Sequence, residues 1–125
     1  MRRLVGLLAF AGSLLGAAND PRWPVLSQVP EKARAKTNPM AKNQDAAVAG
    51  RKLFEQHCTA CHGKAGEGSA KAPPLSNDEL RHATPGDIYW ILTNGVIRRG
   101  MPSWSQLPPP QRWQIVSFIA AMNTH

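Results

Sequence analysis

Cys58-Thr59-Ala60-Cys61-His62 is the stretch whose reading decides the fold. Cys-x-x-Cys-His is the spacing of a c-type haem attachment site. Two cysteines three positions apart lie on one side of a helical turn, so their sulfurs reach two neighbouring vinyl groups of one porphyrin edge. The histidine that follows at once places an imidazole under the iron. One covalent haem c is therefore expected at Cys58 and Cys61, with His62 as an iron ligand.

Other uses of a Cys-x-x-Cys pair are a disulfide, half of a zinc site, or a thioredoxin-like redox pair. A zinc site would need two further ligands. Nitrogens are available only at His57, His62, His82 and His125, and none forms a paired downstream His-x-x-x-His. A thioredoxin-like pair expects a βαβ context, which the sequence does not display.

The chain has 125 residues, enough for one domain. Residues 1–18 read as a secretion signal. Arg2 and Arg3 form its charged start, Leu4 to Leu15 its apolar stretch, and Gly16, Ala17 and Ala18 its small-residue cleavage site. The alternative is an uncleaved N-terminal anchor, although the apolar run falls short of the ~20 residues a spanning helix needs. No membrane span is expected once the signal is removed, and the expected location is the periplasm.

The formal charge is +7, and taking away Arg2 and Arg3 leaves 13 basic against 8 acidic side chains, or +5. Much of this excess lies in residues 19–42, a Pro-rich basic arm carrying Arg22, Lys32, Arg34, Lys36 and Lys42. From Asn43 onward the balance is 8 basic to 6 acidic, with no nucleic-acid reading motif, so nucleic acid is not an expected partner. The charge suits solubility, or steering toward an acidic protein surface.

Pro21, Pro24, Pro30 and Pro39 make the arm read as extended. Trp23, Val25, Leu26 and Val29 would pin parts of it to the domain, which occupies residues 43–125. A first helix is expected from Gln44 to His57, capped by Asn43 or Asp45. Ala46, Ala49, Gly50, Leu53, Phe54 and His57 share one face of it. Gly50 in that face signals close approach of another helix.

Residues 63–74 read as loop, followed by a short helix near Asn77 with Leu80 facing inward. Thr84, Pro85 and Asp87 announce a third helix with Ile88, Ile91 and Leu92 buried, closed by Asn94 and Gly95. A last helix is expected from Pro110 to Met122, with Ile115, Phe118, Ile119 and Met122 on one face. Phe118 is the natural partner of Gly50 and Phe54. The fold class is all-α: three to four helices wrapped around one covalently bound haem. A domain of about 80 residues makes little core alone. The porphyrin completes it, against Leu53, Phe54, Leu75, Leu80, Ile88, Leu92, Trp104 and Ile119.

The second axial ligand is expected at Met101, in the Gly100-Met101-Pro102 turn, 39 positions after His62. A His/Met pair raises the reduction potential, because the neutral, soft thioether favours ferrous iron. The rivals are Met40, Met122, His57, His82 and His125. Met122 falls on a helix face, His57 is expected to point away, and His82 would give a bis-His site of lower potential. His82 with Asp87, and Glu55 with His57, read as surface pairs, so no catalytic group is assigned.

The ordered set Gly50-Arg-Lys-Leu-Phe-Glu-Gln-His-Cys-Thr-Ala-Cys-His-Gly63, Ala72-Pro-Pro-Leu75, Arg99-Gly-Met-Pro-Ser-Trp104 and Arg112-Trp-Gln-Ile-Val-Ser-Phe-Ile119 resembles class I c-type cytochromes of the bacterial monohaem kind. The resemblance covers residues 43 to 122. It implies the small cytochrome c fold, thioethers at Cys58 and Cys61, His62 as proximal and Met101 as distal ligand, and a bond from the His62 ring to the Pro73 carbonyl. It places Gly50, Phe54 and Phe118 at the crossing of first and last helices, and Arg98, Arg99 and Trp104 near the propionates. Family members often carry Tyr where Phe118 stands. Haem attachment outside the cytoplasm in this family agrees with the signal.

The expected activity is electron transfer between redox proteins rather than catalysis, by a monomer or a complex subunit. Lys52, Lys64, Lys71, Arg98 and Arg99 are candidate rim charges. The alternatives are a gas sensor or peroxidase-like enzyme with a displaceable distal ligand, or a cytochrome subunit of a dehydrogenase or oxidase complex.

Overall fold

A computed structural model of the chain describes residues 24–124. The signal, Trp23 and His125 lie outside the described residues. The helices are α1 (Glu31–Arg34), α2 (Gln44–His57), α3 (Thr59–His62), α4 (Asp78–His82), α5 (Pro85–Asn94) and α6 (Pro109–Met122). Short 3-10 turns occupy Pro24–Gln28 and Ile97–Arg99. The only β-type pairing among the described residues is an isolated antiparallel bridge, Val96 to Met101. The four helices expected from the sequence are present. The two additional ones, α1 and α3, are single turns too short to leave a periodic signal.

Capping chemistry explains why the long helices begin where they do. The Asn43 side chain accepts from the Asp45 N–H at 3.0 Å and opens α2. At α5, Thr84 Oγ1 accepts from the Asp87 N–H at 3.1 Å, while Asp87 Oδ2 accepts from the Thr84 N–H at 2.9 Å. This is a complete capping box with Pro85 in the first turn.

The crossing of α2 and α6 is the largest helix contact. Ala46, Gly50 and Phe54 form the buried face of α2, and Phe54 is fully buried. Phe54 and Phe118 meet at 5.2 Å between ring centroids, tilted by 53°. A Cβ at Gly50 would overlap the Gln114 carbonyl oxygen and lie 2.5 Å from its carbon and 3.0 Å from Phe118 Cβ. The Gln114 carbonyl is backbone and cannot swing aside, and Phe118 Cβ is fixed to the same helix. Gly50→Ala should therefore destabilise the holoprotein even though alanine is the better helix former by ~1 kcal/mol. Overpacking of this kind costs about 1–3 kcal/mol, and here the rigid neighbour argues for the upper end. A thermal melt should show Tm lowered by roughly 10 °C; a change of only a degree or two would contradict the reading.

Helix α6 departs from the one-sided face expected for it. Arg112, Trp113, Ile115, Val116 and Ile119 are all buried, while Phe118 and Met122 are partly covered. The helix packs on α2 and on α5 together. A helix covered on two sides is apolar over most of its circumference, and a single-stripe reading misses half of it.

Residues 24–42 differ from the extended arm that the prolines suggested. They coil into the 3-10 turn and α1, and α1 packs against α5. Val25 and Val29 are buried in the core. Arg34 Nε donates to Asp87 Oδ1 at 2.9 Å, Arg34 Nη2 donates to the Leu26 carbonyl at 2.6 Å, and Thr84 Oγ1 donates to the Arg34 carbonyl at 2.9 Å. Further along, Asn38 Nδ2 donates to Ser117 Oγ at 2.8 Å. Long-range polar contacts set this segment's shape, and prolines alone do not reveal them. Asp87, read from the sequence as half of a surface pair with His82, is instead buried and shared between its own helix cap and Arg34.

Candidate haem site

Cys58 sits at the junction of α2 and α3, serving as the C-cap of one and the N-cap of the other. Its carbonyl accepts from the N–H groups of Cys61 at 3.3 Å and His62 at 2.9 Å. The pentapeptide is thereby wound into a single turn. The loop after it folds back onto this turn: Ser69 Oγ donates to the Cys61 carbonyl at 2.6 Å, and the Gly68 N–H to the His62 carbonyl at 2.8 Å.

That fold-back brings the Pro73 carbonyl to 2.9 Å from His62 Nδ1. A carbonyl oxygen only accepts, so Nδ1 carries the proton and Nε2 keeps its lone pair. Burial holds the His62 pKa below its ordinary value, partly offset by the Pro73 hydrogen bond. The ring is therefore neutral at physiological pH and oriented by a partner behind it, as a metal-binding imidazole requires.

Both cysteines are unpaired; Cys58 is half-buried and Cys61 exposed. Burial first, and then the neighbouring Cys61, push the Cys58 thiol up to about 11. Redox-active Cys-x-x-Cys pairs need a lowered thiol pKa, so this environment disfavours the thioredoxin-like alternative. For zinc, no group of three or more His, Cys, Asp or Glu side chains among the described residues is arranged to hold a metal ion.

Cys58, Cys61, His62, Pro73 and Met101 all line one cavity of about 450 Å³. This size falls in the ~300–1,000 Å³ range of cofactor sites. Its walls are apolar, from Leu75, Leu80, Ile88, Ile91, Leu92 and Ile119. A broad apolar plate bearing two reactive edges and a metal fits such a donor set: two sulfurs on one side, one oriented imidazole, and one thioether.

Met101 comes from a segment clipped in place by paired backbone bonds, Val96 N–H to Met101 O at 3.0 Å and Met101 N–H to Val96 O at 3.2 Å. Among the described residues no other methionine lines the cavity. Met40 and Met122 pack against the core instead, and Met122 lies against Gly66. His82 is exposed, with its Nδ1 2.7 Å from the Asp78 carbonyl, and does not reach the cavity.

Several other expectations are revised. Leu53 and Phe54 do not line the cavity, because their face of α2 is turned toward α6. His57 does line it, against the expectation that it points away, and meets Trp104 at 5.1 Å between ring centroids, tilted by 51°. The signal was present, since His57 continues the buried face of α2. Arg99 and Trp104 reach the cavity, and Arg98 does not. Val25 also lines it, a contribution from the arm that carried no motif.

Comparison with known proteins agrees with this architecture. The family described as "Cytochrome C oxidase, cbb3-type, subunit III" matches residues 45–119. The cbb3-type cytochrome c oxidase subunit CcoP of Azospirillum brasilense is 35% identical over 100 residues, 66% of this chain and 34% of that protein. The corresponding CcoP subunit of Azospirillum sp. (strain B510) is 38% identical over 52 residues, 41% of this chain and 18% of that protein. The chain thus spans about a third or less of the length of these relatives. Cytochrome cL from the marine methylotroph Methylophaga aminisulfidivorans shares the fold, with a TM-score of 0.59 at 22% identity over 68% of this chain and 58% of that one. With an all-α shell, one apolar cavity at the Cys-x-x-Cys-His turn and a family match over most of the domain, the chain belongs to the cbb3-type cytochrome c oxidase subunit III family, as a class I c-type cytochrome carrying covalently bound haem c for electron transfer.

Proposed function

We propose that this domain passes single electrons between redox proteins outside the cytoplasm, with the cofactor fastened by Cys58 and Cys61 and ligated by His62 and Met101. One observation carries the reading: those four side chains converge on a single apolar cavity although Met101 lies far along the chain. The haem supplies a one-electron couple. The chain's own residues do the rest. The two sulfurs fix it covalently, and Pro73 holds the His62 ring in its donor tautomer. The apolar walls exclude water, and the Met101 thioether tilts the couple toward the reduced form. With His62 and Met101 both holding the iron, no coordination position would remain for a substrate, which separates a carrier from the sensor or peroxidase-like alternative.

A visible spectrum with a redox titration of the matured protein tests the proposal. A low-spin c-type spectrum, a relatively high midpoint potential and slow carbon monoxide binding to the reduced form are expected. Rapid, tight carbon monoxide binding would favour the alternative.

The partners follow from chemistry at the cavity mouth. Lys71 and Arg99 line the opening, and Arg98 is exposed beside Arg99. An acidic patch on a donor or acceptor suits these cations. Likeness to the CcoP subunits supports work within or alongside a terminal oxidase, so co-purification of the native protein with such a complex would distinguish a subunit from a free carrier. Among the described residues no helix is long and apolar enough to cross a membrane. Arg2, Arg3 and the apolar run Leu4 to Leu15 support export with cleavage after Ala18. N-terminal sequencing of protein from a periplasmic fraction should therefore begin at Asn19, and a product that retains Arg2 and Arg3 would show an anchor instead.

A further inference from the structure

Arg112 is a buried cation, only 7% exposed, and among the described residues it has no carboxylate partner and its Nε has no hydrogen-bond partner. It also stands in the first turn of α6, where the positive end of the helix dipole disfavours a cation. Neither stability nor its own helix accounts for it. Its surroundings do.

The guanidinium lies 4.9 Å from the centre of the Tyr89 ring, which is itself stacked on Trp113 at 4.0 Å. Arg112 Nη1 donates to Thr93 Oγ1 at 2.5 Å. Thr93 Oγ1 in turn donates to the Tyr89 carbonyl at 2.8 Å. Tyr89 and Thr93 belong to the last two turns of α5, toward the negative end of that helix. The cation is therefore matched to α5, across the interface from the helix that bears it.

That same end of α5 holds the segment following Met101. A helix leaves its last carbonyls without internal partners. Here the Thr93 carbonyl accepts from Ser103 Oγ at 2.6 Å, and the Leu92 carbonyl accepts from the Trp104 N–H at 2.8 Å. Gly95 permits the close approach: a Cβ there would lie 2.6 Å from the Pro102 carbonyl carbon and 2.7 Å from the Ser103 nitrogen, and its φ of 70° is left-handed. Met101 is thus two residues from a knot tied by Ser103, Thr93 and Arg112.

We propose that Arg112 is a positioning residue for the distal ligand: acting through Thr93 and Ser103, it holds the 100–104 segment on the end of α5 and so keeps the Met101 thioether in the cavity. This rests on the assignment of Met101 as a ligand. Arg112 does not line the cavity, so its action is indirect.

Carbon monoxide association with the reduced holoprotein reads the opening of this segment, because the gas must displace the distal ligand. Loss of one neutral hydrogen bond in Ser103→Ala should speed association roughly fivefold, and loss of the charged bond, in Arg112→Gln from the donor side or in Thr93→Val from the acceptor side, tenfold or more. Arg112→Lys keeps a cation at the end of α5 and should fall between wild type and Arg112→Gln. Ser103→Ala combined with Arg112→Gln should give less than the product of the single effects, since both act on one tether. Arg34→Gln, which cuts the contact between α1 and α5, should lower Tm without changing the rate. Should Arg112→Gln fail to mature, Ser103→Ala and Thr93→Val carry the test. Rates within twofold of wild type in both, while wild type shows the thioether-to-iron absorption band near the red end of the spectrum, would overturn the tether alone. Absence of that band from wild type would overturn the ligand assignment and the tether with it.

Discussion

Without its haem this polypeptide should be largely unfolded. The cavity of about 450 Å³ stands where the core of a larger domain would be, and most of the buried aliphatic side chains of α4 and α5 face into it. At ~24 cal/mol per Å³ of unfilled volume, the missing contacts amount to on the order of 10 kcal/mol. A domain this size has a net stability of only ~5–15 kcal/mol. Cofactor loss therefore consumes most or all of it. Production of Cys58→Ala/Cys61→Ala, which removes both points of attachment, should give a chain whose far-UV circular dichroism has lost most of its helical signal and whose amides exchange freely. The matured protein should melt cooperatively. A well-ordered, cooperatively melting haem-free chain would contradict this account of what stabilises the fold.

Met101→Ala carries the second large effect, on the couple itself. Axial ligand identity moves haem potentials across a range of about 0.8 V. Replacing a thioether by water or by a nitrogen removes the preference for ferrous iron, and the midpoint should fall by a sizeable fraction of that range. The absorption band from thioether to iron should vanish, and carbon monoxide should bind the reduced form readily. The global fold should persist, because the Val96–Met101 bridge is made by backbone atoms. Survival of the band in Met101→Ala would hand the ligand role to another residue. Met40 and Met122 are then the side chains to examine, since only another thioether can give that band.

How far local chemistry reaches is visible in particular elements. The starts of α2 and α5 were legible because Asn43 and the pair Thr84 and Asp87 make contacts two or three residues apart. Gly50 was legible as a crossing point because a glycine inside a periodic apolar face has few other uses. The attachment turn was legible because covalent geometry dictates its spacing. Long-range contacts were not. The Arg34–Asp87 pair joins residues 53 positions apart and bends a proline-rich segment that otherwise reads as extended. Arg112 and Thr93 are 19 positions apart, and nothing local distinguishes this arginine from the exposed ones. The bond between His62 and Pro73 came from family resemblance, since no rule of spacing predicts which carbonyl a loop with three glycines will present. The misplacement of Leu53 and Phe54 has the same origin: a helix face is readable, but whether it meets a cofactor or a neighbouring helix depends on where α6 lies.

Val25 closes one side of the porphyrin chamber from a stretch that precedes the family-matched residues 45–119. Domain borders drawn by similarity alone would therefore trim away a piece of the container. A shortened version starting at residue 43 would open to solvent the side of the cavity that Val25 covers, and hydration favours the more highly charged ferric state. Anyone grafting this electron-carrying unit onto another protein should bring the proline-rich leader along with it.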